Sequence, residues 1–162
     1  MPPRSPGAAF AFGHPAHFIA LGFGSGLSPI GPGTAGTLLA IPFHFGLVAV
    51  LPLPWRLLLI AVLFLAGIWA CGRTGRDLGV ADHGSMNWDE FVAFLFVLTF
   101  TPPGLEWCLA ALLLFRLFDI VKPPPVSTVD RLVTGGIGVM LDDVAAAGYT
   151  LLSIALMMRW FR

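Results

Sequence analysis

The sequence has 162 residues, of which 57% are hydrophobic and only 11% are charged, and its mean hydropathy is +0.86. So little polar surface excludes an ordinary soluble globule and predicts an all-α integral membrane protein, whose length allows four to five embedded segments at about 20 residues per span. The formal net charge is zero, which excludes nucleic acid as a partner because phosphate neutralisation needs a concentrated basic face.

The first 37 residues are rich in small and turn-forming residues. Residues 1–18 predict a flexible N-terminus, followed by a single membrane-embedded domain over residues 19–162. Residues 22–37 hold six glycines and four hydroxyl side chains just before an apolar run, and backbone N–H groups there, with Thr34 or Thr37, fit a phosphate at a helix N-terminus. The alternative is a turn-rich entry loop whose threonines only cap the helix.

Five apolar runs follow, and they predict embedded helical segments over residues 38–53, 56–72, 91–101, 105–118 and 144–160. The third run measures only about 16 Å as a helix, well short of a hydrocarbon core of about 30 Å. It should therefore form a short hairpin with the fourth run, with Pro102-Pro103-Gly104 at the tip. Residues 73–90 and 119–142 are predicted as polar connections.

The charged residues of the second half gather at the ends of these segments. Asp89 and Glu90 open the third segment, where capping explains one acid but does not need two. The spacing of Arg116, Asp119 and Lys122 predicts one helix face with Asp119 between two cations. Asp142 and Asp143 precede the last segment.

Acidic residues gathered in this way repel one another unless a cation lies between them. A hard divalent ion with oxygen ligands removes the conflict, and Mg²⁺ fits best because it needs few carboxylates and is often completed by substrate phosphate. Arg116 and Lys122 would then hold phosphate oxygens. Helix capping and interfacial anchoring are the alternative explanation of the charges.

Four motifs, read in this order, resemble phosphatidylglycerophosphatase A: residues 28–37 (SPIGPGTAGT), 88–92 (WDEFV), 115–123 (FRLFDIVKP) and 135–143 (GGIGVMLDD). The resemblance covers about residues 20–150, which is most of the chain. It implies a mostly helical, Mg²⁺-dependent phosphatase of the bacterial inner (cytoplasmic) membrane. Its reaction would be hydrolysis of phosphatidylglycerophosphate to phosphatidylglycerol and phosphate in phospholipid biosynthesis, with a phospholipid as substrate and the membrane as its environment.

The resemblance and the clustered charges together predict the site. Asp89, Glu90, Asp119, Asp142 and Asp143 are expected to be catalytic and to hold one or two Mg²⁺, whereas Arg116, Lys122, Thr34 and Thr37 are expected to bind substrate phosphate. The nucleophile is either an activated water or a carboxylate that would form an aspartyl phosphate.

Two positions depart from the family pattern. Ala93 stands where the family often has glycine, which predicts a change in packing. Residues 85–87 (SMN) stand where another acidic residue is expected, which leaves Asp82 as an additional candidate ligand.

The positive-inside rule gives the expected orientation. It places Arg4, Arg73, Arg76, Arg116, Lys122 and Arg131 in the cytoplasm, opposite Arg56, Arg159 and Arg162, and the acidic residues share the cytoplasmic side. The main alternative function is a small membrane transporter that binds a cation through its clustered carboxylates. It is disfavoured because transport sites usually lie near the middle of the membrane rather than at segment ends. A non-catalytic assembly subunit is a third alternative.

Overall fold

The computed structural model describes residues 6–160, apart from the side chains of Val129 and Asp130, and over that range its regular elements are all helical. This confirms the predicted all-α fold. The elements are α1 (Ala8–Gly13), α2 (Pro15–Ala20), a 3₁₀ turn (Gly22–Leu27), α3 (Pro32–Val50), α4 (Leu53–Leu78), α5 (Trp88–Phe100), α6 (Leu105–Val121), α7 (Val126–Leu132) and α8 (Gly135–Trp160). Helices α3, α4 and α8 are long and apolar enough to cross a membrane.

Helix α5 forms the centre of the bundle. It is apolar all round apart from its first turn, as expected of a helix surrounded by other helices, and most of its side chains are buried, including Phe91, Phe94 and Leu95. It packs against α3, α4, α6 and α8. The surrounding helices expose large apolar side chains, such as Leu65 on α4 and Leu113 on α6, which is the surface a lipid environment requires.

The short hairpin predicted from the sequence is confirmed. Helix α5 ends at Phe100, the tip contains Pro102-Pro103-Gly104, and α6 returns from Leu105. Gly104 has a φ of +134°, a region that L side chains rarely adopt. The tip lines one cavity of about 220 Å³ together with His44 near the end of α3 and Arg56 near the start of α4, so the hairpin reaches the level of the α3–α4 turn.

The two predicted polar connections were wrong in extent. Helix α4 continues to Leu78, so the first connection is limited to residues 79–87, and the second contains α7 and the first eight residues of α8. Glycines explain the early start of α8. A Cβ at Gly136 would overlap Ile68 O of α4, and one at Gly138 would overlap Val133 O. Gly136 thus lets α8 pack closely against α4, and Gly138 leaves room for the chain that precedes α8.

The N-terminal helices α1 and α2 lie against α4 through His17. Its ring nitrogens lie 3.1 Å from Phe10 O and 2.9 Å from Asp77 Oδ2, and Arg73 Nε donates to the same Asp77 oxygen at 2.7 Å. Residues 8–13 and 15–20 are helical, with extended His14 between them. The predicted flexibility of residues 1–18 falls partly on residues 1–5, which lie outside the described residues, and the division into an N-terminal stretch and one domain stays a prediction.

Candidate active site

Three buried carboxylates from two helices meet inside the bundle. Asp89 lies in the first turn of α5, and Asp142 and Asp143 lie in α8. One oxygen from each carboxylate can be chosen so that all three lie within 4.8 Å of one another. The residues are 8%, 5% and 2% exposed, respectively. We call Asp89, Asp142 and Asp143 the acidic triad.

The start of α5 is held in place by Asn87. Its backbone N–H donates to Ala20 O at 3.0 Å, and its side-chain Nδ2 donates to Ser25 Oγ at 2.9 Å and to Pro32 O at 2.7 Å. Asn87 is fully buried, so these bonds tie Asp89 to the glycine-rich segment. This positioning role was not predicted, although the position of Asn87 directly before the Trp-Asp-Glu motif was a usable signal.

The triad has the properties of a cation site. Asp89 Oδ1 and Asp143 Oδ2, together with the neighbouring Glu90 Oε2, are buried without a hydrogen-bond partner among the described residues. Buried carboxylates without partners are costly, and close like charges add to that cost. A cation bound by the triad would provide the missing partner for Asp89 Oδ1 and Asp143 Oδ2, and an all-oxygen donor set suits a hard metal ion. The residues present therefore fit a metal ion.

The pKa values of both acidic residues of α5, a helix outside the three candidate membrane spans, are raised. Burial raises the pKa of the Asp89 carboxyl well above its ordinary value, and the charge of Glu90 adds to the rise. Burial also raises the pKa of Glu90 to about 7, although the charge of Arg116 acts in the opposite direction. The charge of Asp82, an exposed residue, contributes to both increases.

Two cations border the triad, each paired with carboxylates. Arg116 Nη1 lies 2.6 Å from Glu90 Oε1 and 2.7 Å from Asp119 Oδ2, so the guanidinium joins α5 and α6. Lys122 Nζ lies 2.7 Å from Asp142 Oδ2 of the triad. The structure thus brings all five predicted carboxylates and both predicted cations into one connected set.

The predicted position of Asp119 between Arg116 and Lys122 was wrong in part. Asp119 pairs with Arg116, but α6 ends at Val121 and Lys122 follows it with a left-handed φ of +46°. Pro123 cannot continue the helix because its nitrogen carries no hydrogen. The chain therefore turns at Lys122, which directs this side chain to α8 rather than along the face of α6.

The two predicted phosphate-binding threonines differ in their surroundings. Thr37 is fully buried, and its hydroxyl donates to Gly33 O of the same helix at 3.0 Å. Thr34 is half-buried in the first turn of α3. The N-terminus of α3 adjoins the acidic set, since a Cβ at Gly33 would overlap the Glu90 carboxylate. The role of Gly33 was not predicted; its spacing from Gly36 at the start of an apolar helix was the available signal.

Comparison with known proteins identifies relatives over most of the chain. The family model of phosphatidylglycerophosphatase A matches residues 18–158. A phosphatidylglycerophosphatase A from Escherichia coli is 44% identical over 136 residues, which cover 82% of this chain and 77% of that protein. One from Haemophilus influenzae is 42% identical over 148 residues, or 91% of each chain.

A third relative carries a different name. It is a Bacteroides thetaiotaomicron protein, provisionally named a phosphatidylinositol-3-phosphatase, that is 42% identical over 149 residues, covering 88% of this chain and 92% of its own. No solved structure matches the chain.

Proposed function

The chain belongs to the phosphatidylglycerophosphatase A family and is a lipid phosphatase, and from this premise we propose that it hydrolyses phosphatidylglycerophosphate to phosphatidylglycerol and phosphate in bacterial phospholipid biosynthesis. The observation that carries the proposal is the buried acidic triad with Arg116 and Lys122 beside it. Transfer of a doubly charged phosphoryl group to water requires positive charge close to the phosphate. The three carboxylates can hold a metal ion there, and Arg116 and Lys122 supply two further cations.

We assign Mg²⁺ as the metal, held by Asp89, Asp142 and Asp143, with Glu90 and Asp119 completing the acidic set. When bound, the ion would polarise the phosphoryl oxygens and favour deprotonation of a water molecule. In the overall reaction, water supplies the new oxygen of the phosphate and a proton to the lipid alcohol, and the bond between phosphorus and the lipid oxygen breaks.

The cations of the site would hold the substrate phosphate. Arg116 presents a planar guanidinium whose Nε has no partner among the described residues, and Lys122 presents a mobile point charge. Both now contact carboxylates, and metal binding by those carboxylates would leave each cation available to phosphate oxygens. Gly33 in the first turn of α3 lies against the Glu90 carboxylate, so this turn, with Thr34, would form the far wall of the phosphate site, whereas Thr37 would support the helix from inside.

The alternative of a cation-coupled transporter loses its support because the family is one of lipid phosphatases. We place the protein in the bacterial inner membrane with the acidic set facing the cytoplasm. The positive-inside rule supports this orientation, because five described cations, Arg73, Arg76, Arg116, Lys122 and Arg131, share that end of the bundle.

The decisive experiment measures phosphate release by the purified protein in detergent, with Mg²⁺ or with EDTA. Phosphatidylglycerophosphate, phosphatidic acid and phosphatidylinositol 3-phosphate would be compared as substrates. We expect Mg²⁺-dependent release that is fastest with phosphatidylglycerophosphate. Faster release from either of the other two lipids would contradict the proposed substrate, and undiminished release in EDTA would contradict the proposed requirement for Mg²⁺.

Matched variants separate catalysis from folding. Asp119→Ala and Asp142→Ala should abolish release while the protein remains inserted and elutes as a single species. Asp77→Ala, which removes a carboxylate paired with Arg73 outside the acidic set, should retain release. Turnover by the Asp142→Ala variant at the wild-type rate would contradict the assigned site.

A further inference from the structure

A groove on the outside of the bundle lies between α4, α5 and α8. Its volume is about 570 Å³, within the range of small-molecule sites. The lining comes from residues 57–65 of α4, 92–96 of α5 and 141–147 of α8, and every lining side chain is apolar. We call it the α4–α5–α8 groove.

The groove begins directly beside the acidic triad. On α8 its lining includes Leu141 and Val144, which flank Asp142 and Asp143 in the sequence. On α5 it includes Val92 and Ala93, about one helical turn after Asp89. From there it follows residues 57–65 of α4, a length of about 12 Å along the helix axis.

Small side chains make the groove deep and open it to the side. Ala93 is buried and forms part of its floor, whereas Ala61 on the rim is exposed. Leu65 and Val144, 65% and 42% exposed, also lie on the rim and face outward. At the level of the triad the three helices close again, because Gly67 of α4 leaves room for Trp88 and Met140. The groove therefore opens laterally toward the bilayer and ends next to the triad.

The apolar lining determines which kind of molecule can occupy the groove. A peptide segment or a lipid headgroup would bury polar groups against side chains that cannot hydrogen-bond, which is unfavourable for each unpaired group. A hydrocarbon chain has no such groups and can enter sideways from the membrane. The position of the groove next to the triad connects that chain to the reacting phosphate.

We propose that the α4–α5–α8 groove holds an acyl chain of the phospholipid substrate and thereby sets the headgroup phosphate against the acidic triad. This inference rests on the proposed function. The bilayer interior is as apolar as the groove, so its contribution is alignment of the substrate rather than transfer from water. Ala93, where a larger side chain would fill the floor, is then a determinant of acyl-chain fit.

The test fills the groove without disturbing the core. Ala61→Phe adds bulk at an exposed rim position, and Ala155→Phe makes the same change at an exposed alanine of α8 outside the groove. We expect Ala61→Phe to lower kcat/KM by about tenfold for a long-chain phosphatidylglycerophosphate and much less for a dihexanoyl one. Ala155→Phe should leave the ratio of the two values at the wild-type level. Equal ratios in both variants would overturn the proposal.

A second measurement uses the wild-type protein and does not depend on turnover. A phosphatidylglycerophosphate with a photoreactive diazirine in one acyl chain would be cross-linked in detergent, and the labelled peptides would be mapped. We expect labelling of the groove segments of α4, α5 and α8 that unlabelled substrate suppresses. Labelling that is no stronger there than at exposed Leu113 or Leu152, or that unlabelled lipid does not suppress, would contradict the groove.

The two proposals fail in different ways. If the wild-type protein releases no phosphate from either chain length, the proposed function fails, and the photolabelling still decides whether the groove binds an acyl chain. If the wild-type protein is active but Ala61→Phe shows no dependence on chain length, the groove assignment fails alone.

Discussion

At the scale of single residues, the three carboxylates of the acidic triad repel one another, and a bound cation would reduce this repulsion. Asp143 is 2% exposed, and its Oδ2 has no hydrogen-bond partner among the described residues. Desolvation and the nearby carboxylates of Asp89 and Asp142 therefore destabilise the charged form of Asp143. Such a residue should destabilise the metal-free protein while being required for metal binding.

This reasoning predicts opposite effects of Asp143→Asn on stability and on activity. The neutral isostere should raise the free energy of unfolding without metal by about 1–2 kcal/mol, because one of three buried like charges disappears. It should also reduce the stabilisation that Mg²⁺ produces, since binding to the folded state is weakened, and abolish phosphate release. Thermal unfolding in detergent, with and without Mg²⁺, measures both changes.

Asp77→Asn is the control for that experiment. It removes a charge from the ion pair with Arg73 and the contact with His17, both outside the triad. It should leave the Mg²⁺-induced stabilisation and the activity at wild-type values. An equal Mg²⁺-induced stabilisation in Asp143→Asn and the wild-type protein would show that Asp143 is not a metal ligand.

At the scale of elements, the crossing of α4 and α8 decides where the two aspartates of α8 lie. Gly136 occupies that crossing, and an added Cβ would overlap Ile68 O and lie 2.7 Å from Gly72 N. Both of these neighbours are backbone atoms of a packed helix, so they cannot move aside as a flexible side chain would. The helices must therefore separate when residue 136 carries a side chain.

Two alanine substitutions in α8 test this crossing. Gly136→Ala should lower the free energy of unfolding by about 1–3 kcal/mol through overpacking and reduce phosphate release by about 100-fold, because Asp142 and Asp143 shift relative to Asp89. Gly148→Ala, with no atom within 4 Å of the added Cβ, should be neutral or stabilising by up to about 1 kcal/mol. Equal stability of the two variants, measured by thermal unfolding in detergent, would contradict the close crossing.

The same crossing shows what the sequence could and could not predict. Apolar runs and scarce charges predicted the embedded helices, and the clustered carboxylates predicted which side chains meet. The prediction of a loop over residues 119–142 was wrong because Gly135 and Gly136 resemble a flexible linker in the local sequence. In the structure, Gly136 allows close contact with α4, which is distant in the sequence. Lys122 left the face of Asp119 because proline ends the helix there. The first error concerns a contact between distant residues that local patterns do not encode, whereas Pro123 was a local signal for the end of the helix.

At the scale of the whole molecule, the different helix lengths place the active site. Helix α4 is about 39 Å long and α5 only about 20 Å. Because Trp88 packs against Gly67, α4 extends 11 residues, or about 16 Å, beyond the start of α5. From Leu53 to Gly67 the distance is about 21 Å, so a hydrocarbon core of about 30 Å that begins at Leu53 ends about 9 Å beyond Gly67, near Arg73. The triad therefore lies below the membrane surface at the cytoplasmic end of the bundle, and the substrate phosphate would have to enter the bundle from the headgroup level to reach it.

The distribution of charge then decides which face of the membrane the site adopts. Arg73, Arg76, Arg116, Lys122 and Arg131 lie at the end of the bundle that holds the triad, and Arg56 and Arg159 lie at the other. Arg4 and Arg162, which the sequence-based orientation also counted, lie outside the described residues. Five cations against two favour a cytoplasmic triad.

Single added cysteines test this orientation. Gly84 lies in the exposed connection before α5, with no atom within 4 Å of an added Cβ, and exposed Pro103 lies at the hairpin tip. Both native cysteines, Cys71 and Cys108, are buried and should react slowly. With a membrane-impermeant maleimide on cells whose outer membrane is permeabilised, Pro103→Cys should label at once and Gly84→Cys only after lysis. The reverse order would place the triad on the outer face and contradict the proposed orientation.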